Sequence, residues 1–515
     1  MRIIVRTFLI CSIALSGACI PAMAKSTVDG YWDLHVPNPS GDGTFLDTYF
    51  QLQQDGNAIS GELIRWHYTI PINGTLQNDS IHLVTQPSAS TPRWEQQPIV
   101  FDGSFAKGKF TLTMQSREGN LHGVVVRVTE DATEPPKQLP LPALHDVPDN
   151  GLARTPPMGW NSWNRFADKV DDASVRAMAD AMVSSGMSKA GYKYINIDDT
   201  WDLGRDAAGN LLPNKKFPNM KALADYVHSK GLKIGIYSSP GPKTCANYPG
   251  SYGHVRQDAA TFASWGIDYL KYDLCSDLDI YKDDAPTLQA IYQEMGDALQ
   301  ATHRPIVYSL CEYGRAQVWT GWGEKSGGNL WRTTGDIEDK WGSMDKIGFS
   351  QIKLSPYVKP GHWNDPDMLE VGNGGMTADE YRTHMSLWSM LAAPLIAGND
   401  LRTMTAETKS ILMNTEVIAI DQDPQFQPVT VVSHDGDIEV LMRPLSDGSV
   451  AVGLFNRGPE AATAKLSRSS LPAGFNGKEL IARDLWRHAQ VSIDGDTYTT
   501  NVPKHGVVLL RISAH

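Results

Sequence analysis

The sequence predicts a multidomain protein built on a (β/α)8 TIM barrel, with an antiparallel β domain before it and an antiparallel β-sandwich after it. Three observations support this fold class. Short apolar runs alternate with amphipathic segments from residue 151 to residue 424. A period-two pattern with turn dipeptides precedes residue 130 and returns after residue 425. A proline-dense stretch separates the first of these regions from the barrel.

Residues 1–24 are predicted to be a cleaved signal peptide. Arg2 and Arg6 precede an apolar stretch, and Ala22-Met23-Ala24 has the small-x-small pattern that signal peptidase cuts after. No later apolar stretch is long enough to cross a bilayer. The sequence therefore predicts a periplasmic or secreted protein with no membrane partner.

Residues 25–130 are predicted to form an antiparallel β domain. Asp55-Gly56-Asn57 and Lys107-Gly108 are typical hairpin turns between strands of alternating polarity. Carbohydrate binding and simple packing against the barrel are both open as roles for this domain. The prolines between residues 135 and 148 exclude helix and central strand, so residues 131–150 are predicted to be a linker.

Residues 151–424 show the strand-helix alternation of one (β/α)8 barrel. Strand candidates begin near Met158, Lys193, Lys233, Asp268, Pro305, Asn329, Gly361 and Pro394. Helix candidates are Val175 to Lys189, Met220 to Lys230, Ala259 to Trp265, Thr287 to Thr302, Ala378 to Leu391 and Ala406 to Asn414, with weaker ones near Arg315 and Ser343. A doubly wound open sheet is the competing fold, but no Gly-rich phosphate loop follows the first strand.

Residues 425–515 return to period two, with Asp435-Gly436 and Asp447-Gly448 between strand candidates, which predicts a β-sandwich. Across the whole chain, 58 acidic residues outnumber 46 basic ones, and no basic run could follow a phosphate backbone. Nucleic acid is therefore excluded as a partner. The pattern indicates no cofactor and no metal, and it leaves the oligomeric state open.

Acidic residues close one apolar run after another in the predicted barrel. The sharpest case is Tyr269-Leu270-Lys271-Tyr272-Asp273. The others are Asp198 and Asp199, Glu312, Asp336 and Asp367. Because the carboxyl ends of the parallel strands of a barrel share one rim, these side chains are expected to converge on one pocket.

Cleavage of a glycosidic bond needs two carboxyl groups, one that attacks the anomeric carbon or activates water and one that protonates the leaving oxygen. Asp273 and Asp336 are the best candidates for these two groups in the sequence. Lys271 lies two positions before Asp273, so both point to one face of a strand, where the ammonium is expected to lower the pKa of the carboxyl. The alternative is that each aspartate only caps the helix after its strand. Large aromatics near the strand ends could line a sugar site or fill the core: Trp160, Trp163, Tyr237, Trp319, Trp322, Trp331 and Trp363.

Two other functional classes compete with hydrolysis. A non-catalytic sugar-binding protein would require the loss of Asp273 or Asp336, and both are present. A metal-dependent lyase or isomerase would use Asp198, Asp199 and Asp273 as oxygen ligands. Lys271 and Arg332 in the same predicted pocket argue against a dication.

Several long motifs resemble glycoside hydrolase family 27, which contains α-galactosidases and α-N-acetylgalactosaminidases. These motifs are Gly151 to Trp163, Ile195 to Asp199, Leu232 to Tyr237, Lys243 to Cys245, Tyr269 to Asp273 and Trp363 to Met368. The resemblance runs from about Asn150 to the C-terminus. Nothing before the linker takes part in it.

The resemblance implies a retaining exo-glycosidase that releases terminal non-reducing α-D-galactosyl residues by double displacement. By position in the motifs, Asp273 is the expected nucleophile and Asp336 the expected acid/base. Cys245 and Cys275 match a disulfide of the family. The expected substrate-binding residues are Trp163, Asp198, Asp199, Tyr237, Lys271, Glu312, Arg332 and Asp367.

Specificity within the family is expected to depend on the walls near C2 and C6 of the sugar. Glu312 favours a 2-hydroxyl over an acetamido group, and the short side chain of Asp198 favours galactose over β-L-arabinopyranose. Action on α-N-acetylgalactosaminides or on β-L-arabinopyranosides is the alternative with the same fold and mechanism. Two departures from the family pattern are Gly328, which should leave Cys311 unpaired, and the large, polar Arg315.

Overall fold

The computed structural model describes residues 27–37, 45–66, 68–91, 95–107, 109–116, 119–493 and 495–514. The predicted signal peptide, residues 1–24, lies outside the described residues. Within the described part of the chain, no helix is both long and apolar enough to span a membrane. The chain divides into two compact units, with the division near residue 133.

The first unit is a closed antiparallel barrel of eight strands. Each strand pairs with its neighbours in sequence, and the first pairs with the last through Leu34 opposite Val125. Inward-facing side chains such as Phe50, Phe101 and Leu112 are fully buried. The strands are β1 Gly30–Pro37, β2 Phe45–Asp55, β3 Ala58–Arg65, β4 Tyr68–Gln77, β5 Ser80–Thr85, β6 Val100–Ala106, β7 Lys109–Ser116 and β8 Gly119–Val128. The strand direction was predicted, whereas closure was not, because an open and a closed sheet share one period-two pattern.

The second unit contains eight parallel strands in a TIM-like barrel, together with a small hairpin. The parallel strands are β9 Met158–Asn161, β10 Tyr194–Asn196, β13 Lys233–Ser238, β14 Tyr269–Asp273, β15 Val307–Cys311, β16 Leu330–Arg332, β17 Trp363–Asp365 and β18 Leu395–Ala397. The hairpin is β11 Asp202–Arg205 and β12 Leu211–Pro213. The strand order in the sheet is β17-β16-β15-β14-β13-β10-β9-β18. An isolated parallel bridge links Ala397 of β18 to Leu369, which follows β17 in the chain. Each parallel strand begins at or just after its predicted start.

The helices follow the strands around the outside of the barrel. They are α1 Trp163–Phe166, α2 Asp172–Ser184, α3 Met187–Ala190, α4 Met220–Ser229, α5 Val255–Trp265, α6 Ala285–Ala301, α7 Trp322–Lys325, α8 Trp341–Ser350, α9 Ala378–Leu391, α10 Ala406–Leu412 and α11 Thr415–Asp421. Side chains of Asp171, Asn219, Asp284 and Thr377 cap the first turns that follow them. The single helix predicted from Val175 to Lys189 is divided at Gly186, whose φ is 93°.

The proline-rich segment before the barrel, predicted to be a linker, lies along the barrel helices without regular structure from residue 134 onward. The fully buried side chain of Gln293 on α6 accepts a hydrogen bond from the His145 backbone N–H at 3.0 Å and donates to the Ala143 carbonyl at 3.0 Å. The hydroxyl of Tyr252 donates to the Lys137 carbonyl at 2.7 Å. Prolines exclude secondary structure here, but side chains of the barrel hold the segment in place.

The C-terminal part of the second unit is the predicted β-sandwich. Its strands are β19 Thr430–Asp435, β20 Ile438–Pro444, β21 Val450–Asn456, β22 Ala462–Ser467, β23 Leu480–Asp484, β24 Ala489–Val491, β25 Thr497–Val502 and β26 Val507–Ala514. Six strands form one sheet in the order β19-β20-β21-β26-β23-β24, and β22 pairs with β25. Val452, Leu466 and Leu510 are among the buried residues between them.

We predict that Gln293→Ala destabilises the second unit by about 1–3 kcal/mol, because it leaves backbone groups of the proline-rich segment without their buried partner. Urea unfolding measures this loss, and limited proteolysis should cut residues 134–150 faster. The control is Gln289→Ala, a half-buried position on the same helix. Equal stability and equal cleavage of Gln293→Ala and the wild type would contradict the prediction.

Candidate active site

A cavity of about 560 Å³ lies at the carboxyl ends of the parallel strands. Ten residues expected from the sequence line it: Trp163, Asp198, Asp199, Tyr237, Cys245, Lys271, Asp273, Arg332, Asp336 and Asp367. They come from the parallel strands, from the loops after these strands and, for Trp163, from the first residue of α1. The shared rim of the barrel strands therefore brings these residues together.

Asp273, the last residue of β14, is only 5% exposed. Tyr237 donates its hydroxyl to Asp273 Oδ2 at 3.0 Å, and Tyr313 donates to Oδ1 at 2.7 Å. Burial raises the pKa of the Asp273 carboxyl, and the Lys271 ammonium and the Tyr313 hydroxyl oppose this shift without cancelling it. The expectation of a lowered pKa was wrong, because desolvation outweighs the neighbouring ammonium.

Lys271 forms its ion pair with Asp198 and not with Asp273. The distance from Lys271 Nζ to Asp198 Oδ2 is 2.9 Å, and Asn161 donates to the same oxygen at 2.8 Å. Burial is the largest single influence on the pKa of Lys271 and lowers it, but the surrounding acidic groups, Asp198 foremost, together raise it more, and the pKa lies well above its usual value. The lysine is therefore a permanent cation beside this wall of the cavity.

Asp199 is held by backbone N–H groups. Thr200 donates to its Oδ1 at 2.7 Å and Ala246 to its Oδ2 at 2.9 Å. Burial raises the pKa of Asp199 to about 7, although these backbone hydrogen bonds act in the opposite direction. The carboxyl is thus fixed in orientation and titrates near neutral pH.

Asp336 lies at the exposed mouth of the cavity, with 73% of its side chain accessible. Arg332 on β16 reaches Asp336 Oδ1 at 3.0 Å and Asp367 Oδ2 at 3.1 Å. The Ile337 N–H also donates to Asp367 Oδ2, at 2.9 Å. One buried guanidinium therefore connects an exposed carboxylate to a buried one.

Cys245 and Cys275 form a disulfide across the loops after β13 and β14, as the resemblance implied. Cys311 is a free, buried thiol. A Cβ atom added at Gly328 would lie 2.7 Å from Leu310 Cδ1, so this position has no room for a second cysteine without rearrangement. The Tyr237 hydroxyl lies 3.3 Å from Cys275 Sγ, which places the bridge against the cavity wall.

Glu312 is not among the residues that line the cavity, and its side chain is 0% exposed. Its Oε1 accepts a hydrogen bond from the Gly314 N–H at 3.3 Å. Successive side chains of a strand point to opposite faces, and Glu312, directly after β15, continues the phase of Tyr308. The Tyr308 hydroxyl donates to the Tyr292 carbonyl on α6, so this phase points away from the cavity. Arg315 is also outside the lining and forms an ion pair with Asp283.

The sequence did not indicate Tyr313, although it lies two residues after Cys311 and so shares the inward phase of that strand. The cavity is also lined by residues that were not among the expected site residues: Asn164, Arg165, Ala167, Ile337, Glu338, Asp339, Met368, Glu370 and Asn373. Among the aromatics, Trp163 lines the cavity, whereas Trp160, Trp331 and Trp363 are fully buried in the core. Some of the predicted aromatics therefore line the cavity, whereas others fill the core.

We predict that Asp199 makes the stability of the protein dependent on pH. Because its folded pKa of about 7 lies above its unfolded value, its contribution to stability is complete below about pH 4 and is lost as the pH rises through about 7. The melting temperature of the wild type should therefore fall relative to that of Asp199→Asn between these pH values. Parallel pH profiles for the two proteins would contradict this.

Comparison with known proteins identifies related chains. The family model described as "Alpha galactosidase A" matches residues 155–423, and the model described as "Alpha galactosidase C-terminal beta sandwich domain" matches residues 435–512. An α-galactosidase from Cyamopsis tetragonoloba is 50% identical over 363 residues, which are 69% of this chain and 86% of that protein.

Solved structures agree with these matches. The crystal structure of α-galactosidase I from Mortierella vinacea aligns with a TM-score of 0.68 and 37% identity, over 71% of this chain and 98% of its own. A structure from Bacteroides fragilis, with a TM-score of 0.67 and 32% identity, covers 94% of this chain and 98% of its own. The chain belongs to the α-galactosidase family, glycoside hydrolase family 27, whose motifs its barrel carries.

Proposed function

We propose that this cavity hydrolyses terminal non-reducing α-D-galactosyl residues of galacto-oligosaccharides and galactosides with retention of anomeric configuration. The observation that carries the proposal is the pairing of two carboxylates in one cavity. Asp273 is buried and held by two tyrosine hydroxyls, whereas Asp336 is exposed beside Arg332. Retaining glycosidases need two such carboxyls in different environments.

In the first step, Asp273 attacks the anomeric carbon while Asp336 donates a proton to the glycosidic oxygen, and the leaving group departs. A covalent galactosyl-enzyme results. In the second step, Asp336 takes a proton from water, the water attacks the anomeric carbon, and Asp273 is released as a carboxylate. The exposure of Asp336 gives both the leaving group and the water a route to it.

The remaining polar side chains supply contacts to the sugar ring. Asp198 and Asp199 are acceptors for hydroxyl groups, and Lys271 keeps a positive charge beside them. Trp163 offers an aromatic ring to the apolar C–H face of galactose. Glu312, which lies outside the cavity lining, has no part in this proposal for sugar recognition.

The proposed organisation is a signal peptide at 1–24, a β domain at 25–130, a linker at 131–150, the catalytic barrel at 151–424 and the sandwich at 425–515. Export to the periplasm or the medium agrees with the disulfide between Cys245 and Cys275, since such bridges persist in oxidising compartments.

We predict that Asp273→Ala and Asp336→Ala each lower kcat/KM for galactosides with sugar leaving groups by about 10⁴-fold or more without loss of fold. Azide distinguishes the two roles. With an activated aryl α-galactoside, Asp273→Ala should give β-galactosyl azide, whereas Asp336→Ala should give α-galactosyl azide from the covalent intermediate. NMR of the products reads the configuration.

The matched control is Asp225→Ala, which removes an exposed carboxylate paired with Lys221 on α4 and should leave kcat/KM unchanged. Full activity of either cavity variant, or the same azide anomer from both, would refute the assignment of roles.

We predict that Asp198→Glu lowers kcat/KM for an aryl α-galactoside by about tenfold or more and reduces the preference for it over an aryl β-L-arabinopyranoside. The longer side chain would fill space that the galactose hydroxymethyl group needs, and arabinopyranose lacks that group. Asp225→Glu is the control, with an unchanged ratio expected because it makes the same change at an exposed carboxylate on α4. An unchanged ratio in Asp198→Glu would exclude Asp198 from this wall.

A further inference from the structure

Tyr313 occupies a part of the cavity for which the motifs predicted no aromatic side chain. Its hydroxyl lies 2.7 Å from Asp273 Oδ1 and 3.7 Å from Cys245 Sγ. The guanidinium carbon of Arg332 lies 5.6 Å from the centroid of its ring. One side chain therefore contacts the buried carboxylate, the disulfide and the cation that pairs with Asp336.

The backbone that carries Tyr313 is strained. Its φ is 61°, and the φ angles of Ala316 and Gln317 are 46° and 53°. All three lie in the left-handed region, which residues other than glycine rarely adopt. Strain of this kind persists only where surrounding contacts over-determine the conformation, and it collects at functional sites. Here it falls directly after β15, at the residue whose hydroxyl meets Asp273.

Contacts on several sides hold this loop. The buried Glu312 accepts from the Gly314 N–H, and Trp322 donates its indole N–H to the Ala316 carbonyl at 3.2 Å. Gly314 has a φ of 79°, and a Cβ atom there would lie 2.4 Å from the Thr333 carbonyl oxygen. The close approach of the loop to Thr333 therefore requires glycine.

We propose that Tyr313 is a further catalytic residue, which orients the Asp273 carboxylate before attack and stabilises it as a leaving group when the galactosyl-enzyme is hydrolysed. This inference rests on the proposed function, in which Asp273 is the nucleophile. Tyr237 donates a hydrogen bond to Oδ2 of Asp273, and Tyr313 donates one to Oδ1. Neither oxygen can rotate away from the anomeric carbon without losing a donor.

The two chemical steps use this donor differently. In the first step, a bond forms between an Asp273 oxygen and the anomeric carbon, and negative charge leaves the carboxyl. In the second step, that bond breaks and the charge returns to the carboxyl. A hydrogen bond to a charged oxygen is the stronger one, so the Tyr313 hydroxyl accelerates the second step, where charge is developing.

Removal of the hydroxyl should also change the pH dependence of the first step. The Tyr313 hydrogen bond lowers the pKa of Asp273, so its loss must move the acidic limb of the kcat/KM profile to higher pH. The other charged and titratable groups that act on Asp273 stay in place in such a variant: Lys271, Asp198, Arg332, Tyr237 and Cys311.

The experiment compares Tyr313→Phe with the wild type on an aryl α-galactoside that has a highly activated leaving group. We expect kcat to fall by about tenfold to a hundredfold, because the lost bond is one to a charged group. KM should fall with it, a burst of released phenol should precede the steady state, and the acidic limb should lie at higher pH. Tyr281→Phe, which loses a buried tyrosine hydroxyl bonded to the Leu139 carbonyl, is the control with unchanged kinetics.

A fall in kcat with unchanged KM, no burst and an unmoved acidic limb would reduce Tyr313 to a structural role and overturn the inference. Labelling of the wild type with a fluorinated galactosyl fluoride, followed by mass spectrometry, tests the nucleophile separately. A label away from Asp273 refutes the proposed function. A label on Asp273 together with wild-type kinetics of Tyr313→Phe refutes only this inference.

The loop geometry is tested with a second pair of variants. Gly314→Ala should reproduce the kinetics of Tyr313→Phe, because a Cβ atom at Gly314 displaces the loop from Thr333. Gly321→Ala is the matched control, since its φ of 129° is also unusual but no atom lies within 4 Å of the added Cβ. Wild-type kinetics in a folded Gly314→Ala variant would contradict the role of the strained loop in placing Tyr313.

Discussion

The ion pair between Lys271 and Asp198 is the interaction on which the rest of the cavity depends. Several carboxylates meet at one rim, and burying them without cations would cost more free energy than the fold could supply. Lys271 compensates Asp198 at 2.9 Å, and Arg332 compensates Asp367 at 3.1 Å. Asp199 instead uses backbone N–H groups. With these charges balanced, Asp273 can remain in the cavity floor with only tyrosine hydroxyls as hydrogen-bond partners among the described residues.

The cavity separates its two key carboxyls by environment. Asp273 is buried, while Asp336 is in contact with solvent and with one guanidinium. A buried, doubly hydrogen-bonded carboxylate cannot change its orientation easily, which suits a nucleophile. An exposed carboxyl can exchange protons with water and with a leaving group, which suits an acid/base. The same residue type thus acquires two proposed roles from its surroundings.

Support for these loops comes from elements outside the strands. The loops with Asp336 and Asp367 lead into α8 and α9, and the sandwich packs on both helices. Arg457 binds Asp345 on α8 at 2.7 Å, and Thr383 on α9 donates to the His505 carbonyl at 2.7 Å. On another side, the proline-rich segment is fixed to α6 by Gln293. The barrel therefore has partners on its helical exterior within the second unit.

Sequence by itself determined the order of the eight barrel strands and of most of the longer helices between them, because hydrophobic period and turn residues are local properties. It placed the parallel strands to within a residue or two, and it identified half of the residues that line the cavity. Tertiary structure alone decided closure of the first sheet, which depends on β1 meeting β8. It also decided that Glu312 is buried outside the cavity lining while Tyr313 meets Asp273, and that burial outweighs Lys271 in setting the pKa of Asp273. These outcomes depend on distances and desolvation between residues far apart in the chain, which no local pattern encodes.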